Sequence, residues 1–157
     1  DYFPVSATFV THMFMHGGWM HLLGNMWILW IFGDNVEDRF GHLRFLLLYI
    51  GWGFIAAASQ VVLDQQHHIP RVGASGAIAG VLGSYAVLYP KAKVHTLVVL
   101  IIFITRFAMP AIVYLAIWFG IQFMSLAEQG VAWWAHIGGF IGGFTLAVMS
   151  RLSRAVR

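Results

Sequence analysis

One serine and one histidine in this sequence have the surroundings that acyl-transfer chemistry requires. Ser75 stands in the small-residue segment Gly73–Gly76, and His136 begins a glycine-rich apolar run. A serine hydroxyl becomes a nucleophile when a base takes its proton, and the reaction also needs donors for the developing oxyanion. His21 and Asn25 are four residues apart, hence on one helix face, and could supply those donors. The pattern predicts a Ser-His dyad with Ser75 as nucleophile and His136 as base.

Other interpretations of these residues stay open at this level. No Asp or Glu lies in the outer half of an apolar run, so a Ser-His-Asp triad is not predicted. The Gly-x-Ser-Gly pattern is shorter than the nucleophile elbow of soluble hydrolases and occurs often by chance. His12 and His16 have the spacing of half a zinc site, but the chain lacks His-Glu-x-x-His and contains no cysteine. A metal or haem protein is therefore a weaker alternative.

Composition restricts the class of protein that must hold these residues. Of 157 residues, 60% are hydrophobic and 10% are charged, against about 45–50% and about 25% in soluble domains. These values exclude a soluble globular domain, a disordered chain and a disulfide scaffold. The net charge of +3 comes from basic residues in short segments between apolar runs, which does not predict nucleic-acid binding. An integral membrane protein is predicted.

Apolar runs mark the candidate spans, each of which needs roughly 20 residues to cross a hydrocarbon core about 30 Å thick. The runs are Trp19–Gly33, Phe45–Leu63, Val72–Tyr89, Val94–Met109, Pro110–Ala127 and Ala135–Ser150. Val94–Met109 is ambiguous, because it could span the membrane, lie at its surface or re-enter. The chain has no internal repeat, which argues against a transporter and predicts a single domain over residues 1–157.

Lysines and arginines distinguish five spans from six, since cytoplasmic loops carry an excess of positive charge. With five spans, seven of these residues lie on one side and only Arg71 lies on the other. With six spans, the three C-terminal arginines move to the poorer side. Five spans are therefore predicted, with the C-terminus in the cytoplasm and both Ser75 and His136 at the outer face. Asp1 then lies outside, so we expect an upstream helix to precede it.

Glycine spacing predicts how the dyad is assembled. Gly76, Gly80 and Gly83 recur along the third run that is predicted to span, and glycine pairs recur between Gly138 and Gly143 in the last one. Small residues at this spacing let membrane helices approach closely, which would bring Ser75 to His136. Trp19–Gly33 gives only about 22 Å of helix, and such a short helix would let water reach the site.

Four segments in this order resemble the rhomboid intramembrane serine proteases. They are His12–Asn25 (HMFMHGGWMHLLGN), Gly33–Gly41 (GDNVEDRFG), Gly73–Gly76 (GASG) and Ala135–Gly143 (AHIGGFIGG). Together they extend over nearly the whole chain. The resemblance implies an all-α, polytopic transmembrane helical bundle with five spans of a six-helix core.

The resemblance also implies roles for individual residues. Ser75 would be the nucleophile and His136 its base, while His21 and Asn25 would form the oxyanion hole with backbone amides. His16 would support a water-filled cavity, His12 would be structural, and Gly73 and Gly76 would support the serine. Substrates would reach the site beside the helix in Pro110–Ala127, with Trp118 and Phe119 as gate residues.

The implied activity is hydrolysis of peptide bonds in or near the transmembrane helix of single-pass membrane proteins, without metal, nucleic acid or other cofactor. The simplest location is a bacterial cytoplasmic membrane, with the site opening to the outer face. A catalytically silent rhomboid-like protein that binds and escorts transmembrane helices is the alternative. Some relatives stack a tyrosine on the dyad histidine at the position of Ala79, so Trp133 or Trp134 is expected to hold His136 here.

Overall fold

The computed structural model describes residues 5–64, 72–100, 103–124 and 132–155. Helices account for most of these residues, and one two-stranded antiparallel sheet interrupts them. The elements are α1 (Val5–Thr11), a 3-10 turn (His12–Phe14), α2 (Trp19–Phe40), α3 (His42–Leu63), α4 (Ser75–Leu88), β1 (Lys93–Leu100), β2 (Phe103–Pro110), α5 (Ala111–Met124) and α6 (Trp133–Ala155). The predicted helical bundle is confirmed, with the sheet as an addition.

Helix α4 is the centre of the bundle. Its residues from Gly76 to Val87 are all buried, as expected for a helix that is apolar on every side. It packs most extensively against α6 and also contacts α3, α2 and α5. A Cβ atom at Gly139 or Gly143 would overlap the carbonyl oxygen of Gly76 or Gly80. The two backbones are therefore in direct contact, as the glycine spacing predicted.

Helix α2 extends beyond the first apolar run. The run ends at Gly33, but α2 continues through the charged residues after it to Phe40. The chain then turns at Gly41, whose φ of +84° lies in the region that favours glycine. The apolar run and the helix end at different places because hydropathy marks the membrane boundary, whereas charged side chains such as Glu and Arg are good helix formers.

The ambiguous run Val94–Met109 forms the hairpin of β1 and β2, with Lys93 opposite Pro110 and Leu100 opposite Phe103. Its Val, Ile, Thr and Phe content is typical of strands. The Ala111 amide donates to the Ala92 carbonyl at 2.7 Å, so the hairpin returns to the place where it left the bundle. It adds no span between α4 and α5.

Within the described ranges, α3 is the one helix that is long and apolar enough to cross a membrane by length and composition. Helix α4 and the Ala111–Ile121 part of α5 are shorter apolar helices. Large apolar side chains also cover the outside of the bundle. Trp19, Met20 and Trp30 are 79%, 82% and 72% exposed, which is unusual for a surface in contact with water and typical of an interaction surface.

Candidate active site

Ser75 and His136 meet where α4 and α6 begin. Ser75 is the first residue of α4, and His136 lies in the first turn of α6. The distance between His136 Nε2 and Ser75 Oγ is 2.8 Å, which is within hydrogen-bond reach. This geometry allows the imidazole to accept the hydroxyl proton when the serine attacks.

Two tryptophans lie beside the imidazole. The Trp133 ring stands perpendicular to the His136 ring, with centroids 6.0 Å apart. The Trp118 ring of α5 approaches it from another direction at 6.1 Å. Ala79, at the position where some relatives carry tyrosine, is fully buried near Gly139 and leaves the ring to these tryptophans. Trp133 is thus one of the two residues that were expected to hold His136.

The backbone before Ser75 runs directly against His21. Gly73 has a φ of +130°, and a Cβ there would lie 2.7 Å from His21 Cε1 and 2.9 Å from His21 Nε2. Only glycine satisfies both the backbone angle and the space. This close approach brings α2 to the start of α4, so that His21 lies next to the segment that carries the serine.

Asn25 is buried, and its Nδ2 donates to the His21 carbonyl at 2.9 Å. That bond uses one of the two N–H groups of the amide, so the second remains available to an incoming acceptor. Asn25 Nδ2 would also lie 3.9 Å from a Cβ at Gly73. His21 and Asn25 are therefore both near the serine segment, and either could donate to an oxyanion.

His12 and His16 have different surroundings. The His12 carbonyl accepts the Gly73 amide at 2.9 Å, and its ring Nδ1 is 2.9 Å from the Thr8 carbonyl. The His16 ring meets the His21 ring edge to face at 5.3 Å. Among the described residues, His16 Nε2 is buried and has no hydrogen-bond partner. The backbone of His12 thus bonds the segment before the serine, and the His16 ring packs against the His21 ring.

A model of the Rhomboid domain matches residues 6–153 of this chain. The chain belongs to the rhomboid family. YdcA of Bacillus subtilis is 31% identical over 145 residues, which cover 89% of this chain and 65% of that protein. Rhomboid protease GluP of Bacillus subtilis is 34% identical over 151 residues, covering 93% of this chain and 26% of that protein.

The family also includes relatives outside bacteria. RHOMBOID-like protein 5 of Arabidopsis thaliana is 28% identical over 144 residues, covering 87% of this chain and 41% of that protein. The chain thus spans less than two thirds of the length of the curated relatives it matches. Family membership makes this chain a rhomboid membrane protein, and bacterial relatives are named as proteases.

The predicted gate residues of this rhomboid lie at the contact between α5 and α6. The Phe119 and Phe140 rings are 4.4 Å apart, and the Trp118 and Phe140 rings are stacked at 6.2 Å. Trp118 therefore contacts two residues of α6, His136 and Phe140.

A cavity of about 460 Å³ reaches Ser75 from the side of α1 and α3. Its polar lining includes Thr8, Thr11, His12, Gln60 and Asp64. Gln60 and Asp64 were not among the site residues predicted from the sequence. A polar pair four residues apart at the end of an apolar run is the signal that could have identified them. Within the described ranges, no group of three His, Asp or Glu side chains could hold a metal ion.

Proposed function

We propose that this rhomboid is an intramembrane serine endopeptidase that uses Ser75 and His136 as a catalytic dyad. The observation that supports it is the 2.8 Å distance between Ser75 Oγ and His136 Nε2 at the edge of an open cavity. Family membership and the bacterial relatives named as proteases support the reaction class. We further propose that residues 1–157 act as one domain.

The mechanism follows from the dyad. His136 Nε2 takes the proton of Ser75 as Oγ attacks the scissile carbonyl carbon, and the resulting oxyanion accepts hydrogen bonds from His21, Asn25 and nearby backbone amides. The imidazolium then protonates the leaving amine, which departs and leaves an acyl-serine. Water hydrolyses that ester with His136 again acting as base, and the enzyme is restored.

The proposed substrates are the transmembrane helices of single-pass membrane proteins. Every backbone group of such a helix is bonded within the helix, so the segment must unwind before Ser75 can reach a carbonyl. Helix-breaking residues near the cleavage site would lower that barrier. Substrates would approach beside α5, where Trp118 and Phe119 meet Phe140.

The proposed location is a bacterial cytoplasmic membrane, with the site opening to the outer face. The support is the concentration of lysines and arginines at the other end of the helices, as the positive-inside rule requires. The proposed reaction uses no metal or other cofactor, because the dyad and its donors contain every group that the steps require.

A fluorescent fluorophosphonate tests the dyad in the purified protein, because it labels only an activated serine. We expect the parent to be labelled, and Ser75→Ala and His136→Ala to lose labelling. Ser84→Ala is the matched control, since Ser84 lies on the same helix but bonds the Gly143 carbonyl. A folded parent that is not labelled would refute the protease and leave the helix-escort protein as the better explanation.

A further inference from the structure

The start of α6 leaves its first backbone amides without partners inside the helix, as every α-helix does. The first intrahelical bond runs from the His136 amide to the Ala132 carbonyl at 3.1 Å. Ala132 therefore stands at the capping position, where a serine, threonine or aspartate oxygen usually accepts such an amide. Alanine has no side-chain oxygen to do so. Since Ala135 is buried, at 8% exposed, its amide needs an acceptor from elsewhere in the protein.

Gln60, in the last turn of α3, supplies that acceptor. The Ala135 amide donates to Gln60 Oε1 at 3.2 Å, across 75 positions of sequence. The other end of the same side chain, Gln60 Nε2, donates to Asp64 Oδ2 at 2.5 Å. Because a carboxylate only accepts hydrogen bonds, Asp64 fixes which end of the amide faces it. The Gln60 oxygen is thereby directed at α6.

This contact adjoins the proposed dyad in sequence and in space. Ala135 is the residue before His136, so a shift of the first turn of α6 moves the imidazole with it. Gln60, Asp64, Ala135 and Ser75 all line the same cavity. Helix α3 also touches α6 one turn on, where a Cβ at Gly138 would overlap the Ser59 hydroxyl.

We propose that Gln60 and Asp64 are positioning residues that cap α6 and thereby hold His136 at hydrogen-bond distance from Ser75. The inference rests on the proposed function, because it assigns a purpose in catalysis to the cap. Neither side chain touches the reacting atoms. Misplacement of a catalytic group by about 1 Å can cost roughly a hundredfold in rate, so a cap next to the base has a large effect on the reaction.

Exchanging the amide of Gln60 and the carboxylate of Asp64 tests the pair in the purified protein. Gln60→Leu removes the acceptor, and Gln60→Glu keeps it but puts two carboxylates side by side. We expect both to slow fluorophosphonate labelling by about ten- to a hundredfold. The double variant Gln60→Glu/Asp64→Asn restores one donor facing one carboxylate, and we expect labelling to return to within about threefold of the parent. Ser59→Ala is the matched control, since the Ser59 hydroxyl donates to the Ile55 carbonyl of its own helix.

A second measurement does not depend on activity. The ring signal of His136 in NMR spectra is sensitive to its hydrogen bond with Ser75, and hydrogen exchange of residues 132–140 reports the cap. Gln60→Leu should shift the ring signal and accelerate the exchange, and the double variant should reverse both. Unlabelled parent protein would refute the dyad, while these two signals would still decide whether Gln60 positions His136. The proposal would be overturned if Gln60→Leu were labelled at the parental rate and its His136 signal were unshifted. It would also be overturned if the double variant were labelled no faster than Gln60→Glu.

Discussion

The two ends of the contact between α4 and α6 use their polar side chains differently. At the Arg151 end, which contains Ser84, Tyr89 and Arg151, each of these side chains donates to a backbone carbonyl at 2.9 Å. At the Ser75 end, which contains Ser75, His136 and His21, the contact between Ser75 and His136 joins two side chains at 2.8 Å. The three polar side chains at the Arg151 end fasten helices together, whereas Ser75 and His136 face one another beside a cavity.

The two serines of α4 illustrate the difference. Ser84 is fully buried and donates its proton to the carbonyl oxygen of Gly143, which cannot act as a base at neutral pH. Ser75 is only partly buried, borders the cavity and faces the His136 imidazole. A neutral imidazole can act as a base at neutral pH. Reactivity therefore depends on the acceptor and on access, and the helix provides both kinds of environment nine residues apart.

Among variants that keep Ser75 and His136, we expect the slowest turnover when Asn25, a proposed oxyanion donor at the Ser75 end, is removed. Asn25→Ala removes an amide that is buried beside the serine segment. Loss of one oxyanion donor typically costs about 10²–10³ in turnover. We expect kcat on a transmembrane substrate to fall by that factor, with fluorophosphonate labelling of a folded protein still detectable. An Asn25→Ala variant with parental turnover would remove this residue from the oxyanion hole.

Paired glycine variants test whether the two ends differ in function as well as in contacts. Gly139→Ala and Gly143→Ala each force a Cβ against a carbonyl of α4, and overpacking of this kind costs about 1–3 kcal/mol or more. We expect both to lower thermal stability, but Gly139→Ala to slow labelling further because it lies one turn from His136. Equal labelling at equal stability would show that the two contacts are equivalent.

Ser84→Ala probes the Arg151 end directly. It removes a buried hydrogen bond to the Gly143 carbonyl, and such a bond contributes about 0.5–1.5 kcal/mol to stability. We expect a lower unfolding temperature with labelling of Ser75 unchanged per folded molecule. Arg151→Gln, which weakens the bond to the Val87 carbonyl, should behave in the same way. Loss of labelling in either variant would contradict the division between the ends.

Features that depend on local spacing could be predicted from the sequence. Glycines four residues apart predicted the contact of α4 with α6, and the motif around Ser75 with the run after His136 predicted the family, which is confirmed. The Val94–Met109 run could not be assigned, because hydropathy alone does not separate a strand pair from a membrane segment. Its β-branched residues were the available signal.

Features that depend on distant contacts could not be predicted. Gln60 acts on Ala135 across 75 positions, and nothing around either residue indicates the other. The same holds for Trp118, whose place beside His136 depends on how α5 packs. Helix α2 continues past its apolar segment to Phe40. Hydropathy marks where the membrane ends, whereas charged residues such as Glu and Arg can continue a helix. Sequence spacing thus identifies the residues of the proposed dyad and misses much of what positions them.

A weak effect of pH is expected at the exposed corner between α2 and α3, where His42 pairs with Glu37. His42 Nδ1 contacts Glu37 Oε1, and this hydrogen bond to a carboxylate raises the pKa of His42 above 6.5. A raised pKa means that the pair stabilises the fold fully below the unfolded pKa, and that the contribution is lost as the pH rises through the folded pKa. We expect the unfolding temperature of the parent to fall slightly more than that of His42→Gln as the pH rises from about 6 to about 8.5, at low salt.

Labelling of Ser75 should follow the same pH profile in both proteins, because His42 touches no residue of the proposed dyad. A change in that profile would show that the corner and the Ser75 end are coupled.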